Sequence, residues 1–326
     1  MIARYAIPFF FIMGLIVAPV VFTLLCRWLA PRRHWRKIAI VLTLLIWGVV
    51  GYGYLVGFQK FEVRHFEYAS ADLPETFDGY RIVQFSDAHV GSFTGSQQWL
   101  LQRAVDSINA QKADAVVFTG DLENLHPDEL RTQLSILSQL HAKDGVFSVL
   151  GNHDYPTYLD ITKDEKTRLV QLTKSYERQM GWRLLLNEHH VVRRDSDSIV
   201  IAGMENWGTL KRMPRLGDVG KTLSRPAPLT TRPFIVMLQH DPTAWRKKIL
   251  PECNAQLTLS GHTHGGQFSI FGWSPAAFTY DTWGGVSYEG DRALYVSTGL
   301  GGLIPFRLNM PGEIVVITLK CKKTKH

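Results

Sequence analysis

Five short apolar runs in this chain each stop abruptly on side chains of one chemical kind. "RIVQFSDAH" ends in Asp87 and His89, "DAVVFTGD" in Asp121, and "GVFSVLGNHD" in Asn152, His153 and Asp154. "FIVMLQHD" ends in His240 and Asp241, and "QLTLSGHTH" in His262 and His264. Runs of about four to six β-branched and aromatic residues read as buried strands. Helical patterns separate several of them. Ser96 to Gln111 carries apolar residues at Leu100, Leu101, Ala104, Val105 and Ile108. Pro127, with Asp128 and Glu129 in the first turn, opens a second helix that stops before Gly145. Thr162 with Glu165 starts a third as a capping box, and it reaches Gly181. Strand, helix, strand is the order of an α/β sheet, and such sheets bind ligands beyond the carboxyl ends of their strands. All five polar clusters fall at that edge.

The last run continues as "LTLSGHTHGGQFSI", with Gly261, Gly265 and Gly266 around its two histidines. On an extended backbone both imidazoles point to one side, and the glycines permit close approach. In isolation a hairpin turn with two surface histidines would read the same; the other four clusters set this stretch apart. Together the strand ends offer Asp87, His89, Asp121, Asn152, His240, His262 and His264, with His153 and further aspartates beside them. An oxygen and imidazole set without thiolate suits divalent manganese, iron, zinc or cobalt. Seven such side chains exceed what one ion with an open position can take. They suit two ions sharing a carboxylate, a recurrent device for hydrolysing phosphate esters.

In this order the motifs D-x-H (Asp87, His89), G-D (Gly120, Asp121), G-N-H-D (Gly151 to Asp154), H-D (His240, Asp241) and G-H-x-H (Gly261 to His264) resemble those of the calcineurin-like metallophosphoesterase superfamily. "LYVSTGLGGLIPFRLNMPGEI" also resembles the ending of a bacterial membrane-associated or exported branch. The resemblance implies an α/β fold in which a two-sheet β-sandwich is flanked by helices. It implies two divalent ions, manganese, iron or zinc. Asp87, His89 and His264 would hold the first, Asn152, His240 and His262 the second, and Asp121 would bridge. A water shared by the two cations would attack phosphorus in line, without a protein nucleophile. His153 would be the general acid for the leaving alkoxide, with Asp154 orienting its imidazole. The family often has a further carboxylate soon after the bridging aspartate; in "GDLEN" neither Glu123 nor Asn124 is a clear match. "GLGGL" near residue 301 reads as a tight turn by the site, because Pro305 and a strand-like segment follow it, not a helix. His189 and His190 read as surface residues of an edge strand.

The first sixty residues have a different character. Tyr5 to Cys26 runs 22 residues without a charge and Ile38 to Phe58 runs 21, each long enough to cross the hydrocarbon core as a helix. A cleaved signal peptide is the rival reading of the first run, but the run exceeds the usual length and a second follows. The chain therefore divides into a membrane anchor, residues 1–60 with helices at about 5–26 and 38–58, and a catalytic domain, residues 61–326. The loop "RWLAPRRHWRK" between the spans carries five basic residues, which places it in the cytoplasm. The protein is then a multi-pass protein of the inner (cell) membrane with its catalytic domain outside the cytoplasm.

The net charge of +7 is concentrated in that loop and in the tail (Lys320, Lys322, Lys323, Lys325); without those nine charges the rest sums to −2. A nucleic-acid footprint is therefore missing, and no nucleic-acid partner is expected. Cys26, Cys253 and Cys321 form no C-x-x-C pair, and sequence leaves open whether two of them are bridged. The reading that follows is a membrane-anchored phosphohydrolase for phosphate monoesters or pyrophosphates, on a phosphorylated small molecule or a lipid-linked substrate, with membrane lipid as its other partner. Alternatives are a UDP-2,3-diacylglucosamine pyrophosphatase of lipid A synthesis facing the cytoplasm, or a phosphodiesterase or nuclease. A scaffold that has lost its metals should lack ligands, and this chain lacks none.

Overall fold

The short apolar runs pair into two six-stranded sheets. The computed structural model describes residues 17–29, 35–226 and 233–322. In chain order the strands are β1 (Phe61–Ser70), β2 (Arg81–Phe85), β3 (Ala115–Phe118), β4 (Val146–Ser148), β5 (Arg183–Leu184), β6 (Glu188–Arg194), β7 (Asp197–Gly203), β8 (Phe234–Leu238), β9 (Leu257–Ser260), β10 (Gly285–Glu289), β11 (Arg292–Val296) and β12 (Gly312–Cys321). The α-helices of four residues or more among the described residues are α1 (Val17–Leu29), α2 (Trp35–Tyr52), α3 (Gln98–Ala110), α4 (Leu134–Leu137), α5 (Lys163–Gln179) and α6 (Val219–Ser224). One sheet has the order β1-β12-β2-β3-β4-β5, with β2 to β5 parallel and β12 antiparallel to β2. The other has the order β10-β11-β9-β8-β7-β6, parallel through its centre and antiparallel at both edges.

Period-two alternation divides each strand between two cores. Ile82, Ala115, Val117 and Phe147 face Ile199, Val236 and Leu257 between the sheets. Their neighbours Val83, Val116 and Phe118 face outward, beneath Leu101, Val105 and Ile108 of α3 and Tyr176 of α5. On the far side Val200, Ile235 and Met237 pack against Trp245 and Ile249. The result is the two-sheet sandwich flanked by helices anticipated from the sequence. Each fully buried aliphatic or aromatic side chain contributes ~1.5–3 kcal/mol by leaving water. The parallel strands all end at one edge, and the five polar clusters follow there.

α3 buries all five apolar residues expected of it. α5 begins as anticipated, with Thr162 Oγ1 accepting from Glu165 N at 3.2 Å. The segment opened by Pro127 departs from the single helix read there. It breaks into a 3-10 turn over Pro127–Leu130 and the one-turn α4, because packing overrides helical continuity. Gln133, between the two pieces, is buried with its amide donating to the Phe93 carbonyl at 3.0 Å. β6 is an edge strand as expected, but His189 is buried, its ring hydrogen-bonded to the Thr222 carbonyl of α6 at 2.9 Å. The covering helix follows a Gly- and Pro-rich stretch and leaves no mark near His189. The three cysteines are free.

α2 continues as a π-turn over Gly53–Gly57, and Trp35–Gly57, 23 residues, is long and apolar enough to cross a bilayer. Of the first expected span, Val17–Leu29 is helical; residues 5–16, and 30–34 of the basic loop, lie outside the described residues. The end of the long helix is seated on the sandwich. Gly53 O accepts from Arg307 N at 3.1 Å, and a β-carbon at Gly57 would collide with the Arg307 carbonyl. The Arg307 side chain is fully buried, donating to the carbonyls of Thr298, Gly299, Gly301, Met310 and Pro311. Burial lowers its pKa to about 10, which still leaves it charged at neutral pH. Arg307→Met would leave those carbonyls unsatisfied in the interior. Chemical denaturation of the detergent-solubilised protein should show a loss of ~3 kcal/mol or more.

Candidate metal centre

The polar residues after each strand converge because the backbone turns sharply there. Of eleven non-glycine residues at positive φ among those described, five are Asp87, Asp121, His89, His262 and His264. Such conformations persist only where surrounding structure enforces them, and they gather at functional sites. Glycines supply the room. A β-carbon on Gly261 would run into Asp87, and one on Gly151 into Asp121. The glycine turn expected near residue 301 lies against the site, with Leu300 N and Gly301 N donating to the carbonyls of Ser86 and Asp87 at 2.8 and 2.9 Å.

Two groups of ligand atoms result, each with its atoms within 4.8 Å of one another: Asp87, His89, Asp121 and His264, and Asp121, His240 and His262. Asp121 belongs to both. Its Oδ2 lies 3.7 Å from His89 Nε2 and 3.1 Å from His240 Nε2. Asn152 Oδ1 approaches His240 Nε2 at 3.1 Å, so it adjoins the second group. Asp87 Oδ1 lies 3.5 Å from His264 Nε2. Atoms bearing lone pairs and held this close, away from water, fit divalent cations between them.

Three of the rings are turned by the hydrogen bond their other nitrogen makes, whereas the buried Nδ1 of His264 has no such partner. His89 Nδ1 donates to the Glu123 carbonyl at 3.1 Å, and His240 Nδ1 to that of Thr119 at 2.7 Å, so both present Nε2 inward. His262 is reversed: Tyr280 hydroxyl holds its Nε2 at 2.9 Å, while Nδ1 faces His240 Nε2 at 3.1 Å. Tyr158 hydroxyl takes the Asn152 amide NH2 at 2.9 Å, leaving Oδ1 for the site. Tyr158 and Tyr280 escaped sequence reasoning, since each is one aromatic in an irregular loop with no motif around it. Tyr280 also borders a cavity of about 370 Å³ lined by Thr209, Thr243, Arg246, Lys247 and Thr282.

His153 is 7% exposed, between His89 at 4.9 Å (ring centroids) and Tyr158, stacked at 4.6 Å. Its Nδ1 donates to the Asn124 carbonyl at 2.6 Å, so Nε2 is the free nitrogen. The orienting bond anticipated from Asp154 therefore comes from Asn124. Asp154 instead accepts from the backbone N–H groups of Gly151, Asp121, Leu122 and Glu123 at 2.8–3.3 Å, where it pins the Asp121 loop. Its position beside His153 in sequence does not carry into space, because the loop turns between them. Glu123 is buried too, with Thr173 on its carboxyl, and burial and Asp154 push it well above the usual range.

Charges in the site oppose one another strongly. Burial works against the Asp121 carboxylate, yet His240, His153 and His89 hold it well below its ordinary range. Burial likewise opposes charge on His240, but Asp121 and Asp87 raise it to about 10. Burial raises Asp87 to about 6 and lowers His89 to about 3. Without metal, a proton on His240 thus supplies the positive charge. A raised pKa stabilises the fold below its ordinary value, 6.5 for histidine, and that contribution fades as pH climbs through about 10. Glu177, raised to about 8 chiefly by burial, acts in the same sense. Chelated protein should therefore lose roughly 4 °C or more of Tm between about pH 6.5 and 9. Added divalent cation should flatten that fall, because it takes the place of the proton. A pH-independent Tm after chelation would show that His240 is neutral there.

Comparison with known proteins agrees with this geometry. Residues 80–266 match the family model of the calcineurin-like phosphoesterases. A transmembrane protein with metallophosphoesterase domain from Danio rerio is 33% identical over 289 residues, 86% of this chain but 62% of its own length. The uncharacterized metallophosphoesterase YkuE of Bacillus subtilis is 32% identical over 282 residues, 83% of this chain and 90% of its own. UDP-2,3-diacylglucosamine pyrophosphatase LpxG of Chlamydia trachomatis is 26% identical over 299 residues, covering 76% and 86%. A sandwich whose strand ends gather two imidazole and carboxylate groups around one shared aspartate, matched across more than half its length by the family model, places this chain among the calcineurin-like phosphoesterases, metal-dependent hydrolases of phosphate esters.

Proposed function

We propose that this phosphoesterase is membrane-anchored and cleaves monoester or pyrophosphate bonds of lipid-linked phosphates. Asp87, His89 and His264 would hold one divalent cation, Asn152, His240 and His262 a second, with Asp121 shared. The observation that carries the ligand assignment is the place of Asp121 Oδ2 between the two groups. When bound, such a cation pair supplies Lewis-acid activation of water and offsets charge on the phosphoryl oxygens. Nitrogen and oxygen donors without thiolate suit manganese, iron or zinc.

His153 has the geometry of a general acid. Because Nδ1–H stays with the Asn124 carbonyl, the proton that can be delivered is the one on Nε2 of the imidazolium. The ring then returns to the neutral form without turning. Tyr158 stacks on it and also holds Asn152, so acid and ligand are fixed by one side chain.

Two observations support a substrate near the bilayer: the apolar helix ending at Gly57 is seated on Arg307, and one relative is named for a lipid-linked pyrophosphate. That relative's name favours a second reading, a UDP-2,3-diacylglucosamine pyrophosphatase, which needs the catalytic domain in the cytoplasm. The basic loop argues for the opposite side. Metal analysis of the purified protein should find two ions per chain and, for Asp121→Asn, fewer than one, with hydrolysis down at least ~100-fold. His153→Ala should keep both ions yet lower kcat roughly 100-fold or more for alkyl phosphates, and less for p-nitrophenyl phosphate, whose leaving group needs no proton. A tag after His326 should be labelled by an impermeant reagent in spheroplasts. Labelling only after lysis would overturn the outward orientation and move the UDP-lipid reading forward.

A further inference from the structure

Apolar surface is unevenly distributed over the catalytic half of the chain. Beyond Gly57, nine large apolar side chains are exposed among the described residues, and four of them, Ile270, Phe271, Trp273 and Phe278, fall in one loop. Phe271 is 105% exposed and Phe278 82%. From Gly265 to Tyr280 the sequence holds no charged side chain. Ile270 and Trp273 exchange both backbone hydrogen bonds at 3.0 Å across a two-residue turn, with φ of 50° at Phe271 and 80° at Gly272. Turns with positive φ at both central positions favour Asn, Asp or Gly at the first, where a β-carbon is crowded. Here the tip carries a phenylalanine, wholly outside the protein and in a strained conformation. Backbone strain of that kind points to function.

The loop is fastened at both ends. On one side Leu308 N donates to Gln267 O at 3.0 Å and Ser269 N to Leu308 O at 2.9 Å. The preceding residue, Arg307, donates its own N–H to Gly53 at the end of the apolar helix. On the other side Ser274 Oγ donates to Gly265 O at 2.6 Å, and Tyr280 hydroxyl meets His262. One short segment thus joins the helix end, the apolar tip and the candidate metal ligands.

We propose that residues 270–278 form a second membrane contact, with Phe271 and Trp273 entering the leaflet from which α2 emerges. This rests on reading α2 as a membrane span. Trp273, packed edge-on against Phe278 at 5.3 Å, has the amphipathic ring favoured at the bilayer interface. A seat at two points fixes the tilt of the catalytic domain as well as its height, and turns the loop that carries His262 and His264 toward lipid headgroups.

The test uses full-length protein in phosphatidylcholine and phosphatidylglycerol vesicles, with and without bromine on the acyl chains. Emission from Trp273 is the difference between wild type and Trp273→Phe, and Trp47→Phe reports the helix in the same way. Both contributions should fall roughly twofold in brominated vesicles. Phe271→Asn suits positive φ and should leave Tm unchanged or higher while weakening quenching at Trp273. If Trp47 is quenched and Trp273 is not, the loop stays in water and the inference fails, while the anchor stands. If neither is quenched, the anchor reading itself is overturned, and this inference with it.

Discussion

Burying imidazoles and carboxylates together at the edge of two apolar sheets is the constraint on which this structure turns. The Asp121 carboxylate, 1% exposed, faces His89 and His240, both wholly buried. Such groups are costly in a dry interior unless opposite charge lies within reach. In the metal-free site a proton on His240, held there by the Asp121 and Asp87 carboxylates, meets that need. A divalent cation meets it better because several lone pairs can face it at once. Protonation and metal binding are then exclusive solutions to one electrostatic problem, so metal affinity should strengthen as protons leave.

The protein's own backbone holds the arrangement together. Asp154 gathers four backbone N–H groups around the Asp121 turn, and both Asp87 oxygens accept from His262 N at 3.0 Å. Carbonyls of Glu123 and Thr119 fix two rings. Backbone groups therefore station the ligands, and the positive φ values at five of them show what that stationing costs.

Strand identity was legible in the sequence because the signal is local: β-branched runs ended by polar residues state both the element and its carboxyl end. Asp87, His89, Asp121, Asn152, His240, His262 and His264 could be collected from those ends without knowledge of tertiary contacts. What escaped depends on contacts between distant segments. Asp154 and His153 are adjacent in sequence, yet one binds the Asp121 loop and the other the Asn124 carbonyl. Tyr280 reaches His262 only because the chain leaves the site at His264 and returns after the apolar loop. His189 is covered by a helix thirty-odd residues away, and no periodicity reports such a cover.

The joint between the apolar helix and the sandwich bears on substrate choice. A soluble substrate would reach this site equally well at the end of a slack linker. Here there is none: β1 begins four residues after Gly57, and the residues between are engaged. Phe58 stacks on Phe93 at 5.5 Å, Gln59 O accepts from Arg103 at 2.8 Å, and Lys60 O accepts from Gly312 N at 2.9 Å. From Gly53 the connection passes through Arg307 to Gly299 and Gly301, and from Gly301 N to the Asp87 carbonyl. If the helix spans a bilayer, the ligand cluster stands at a set height above it. A fixed height excludes substrates whose phosphate lies deeper or farther out and favours those whose phosphate is held at one depth by a lipid tail. On the proposed reading of a membrane-anchored enzyme for lipid-linked phosphates, stiffness would work as selectivity, which is a reason for a buried arginine and a sterically required Gly57 where a flexible tether would otherwise suffice.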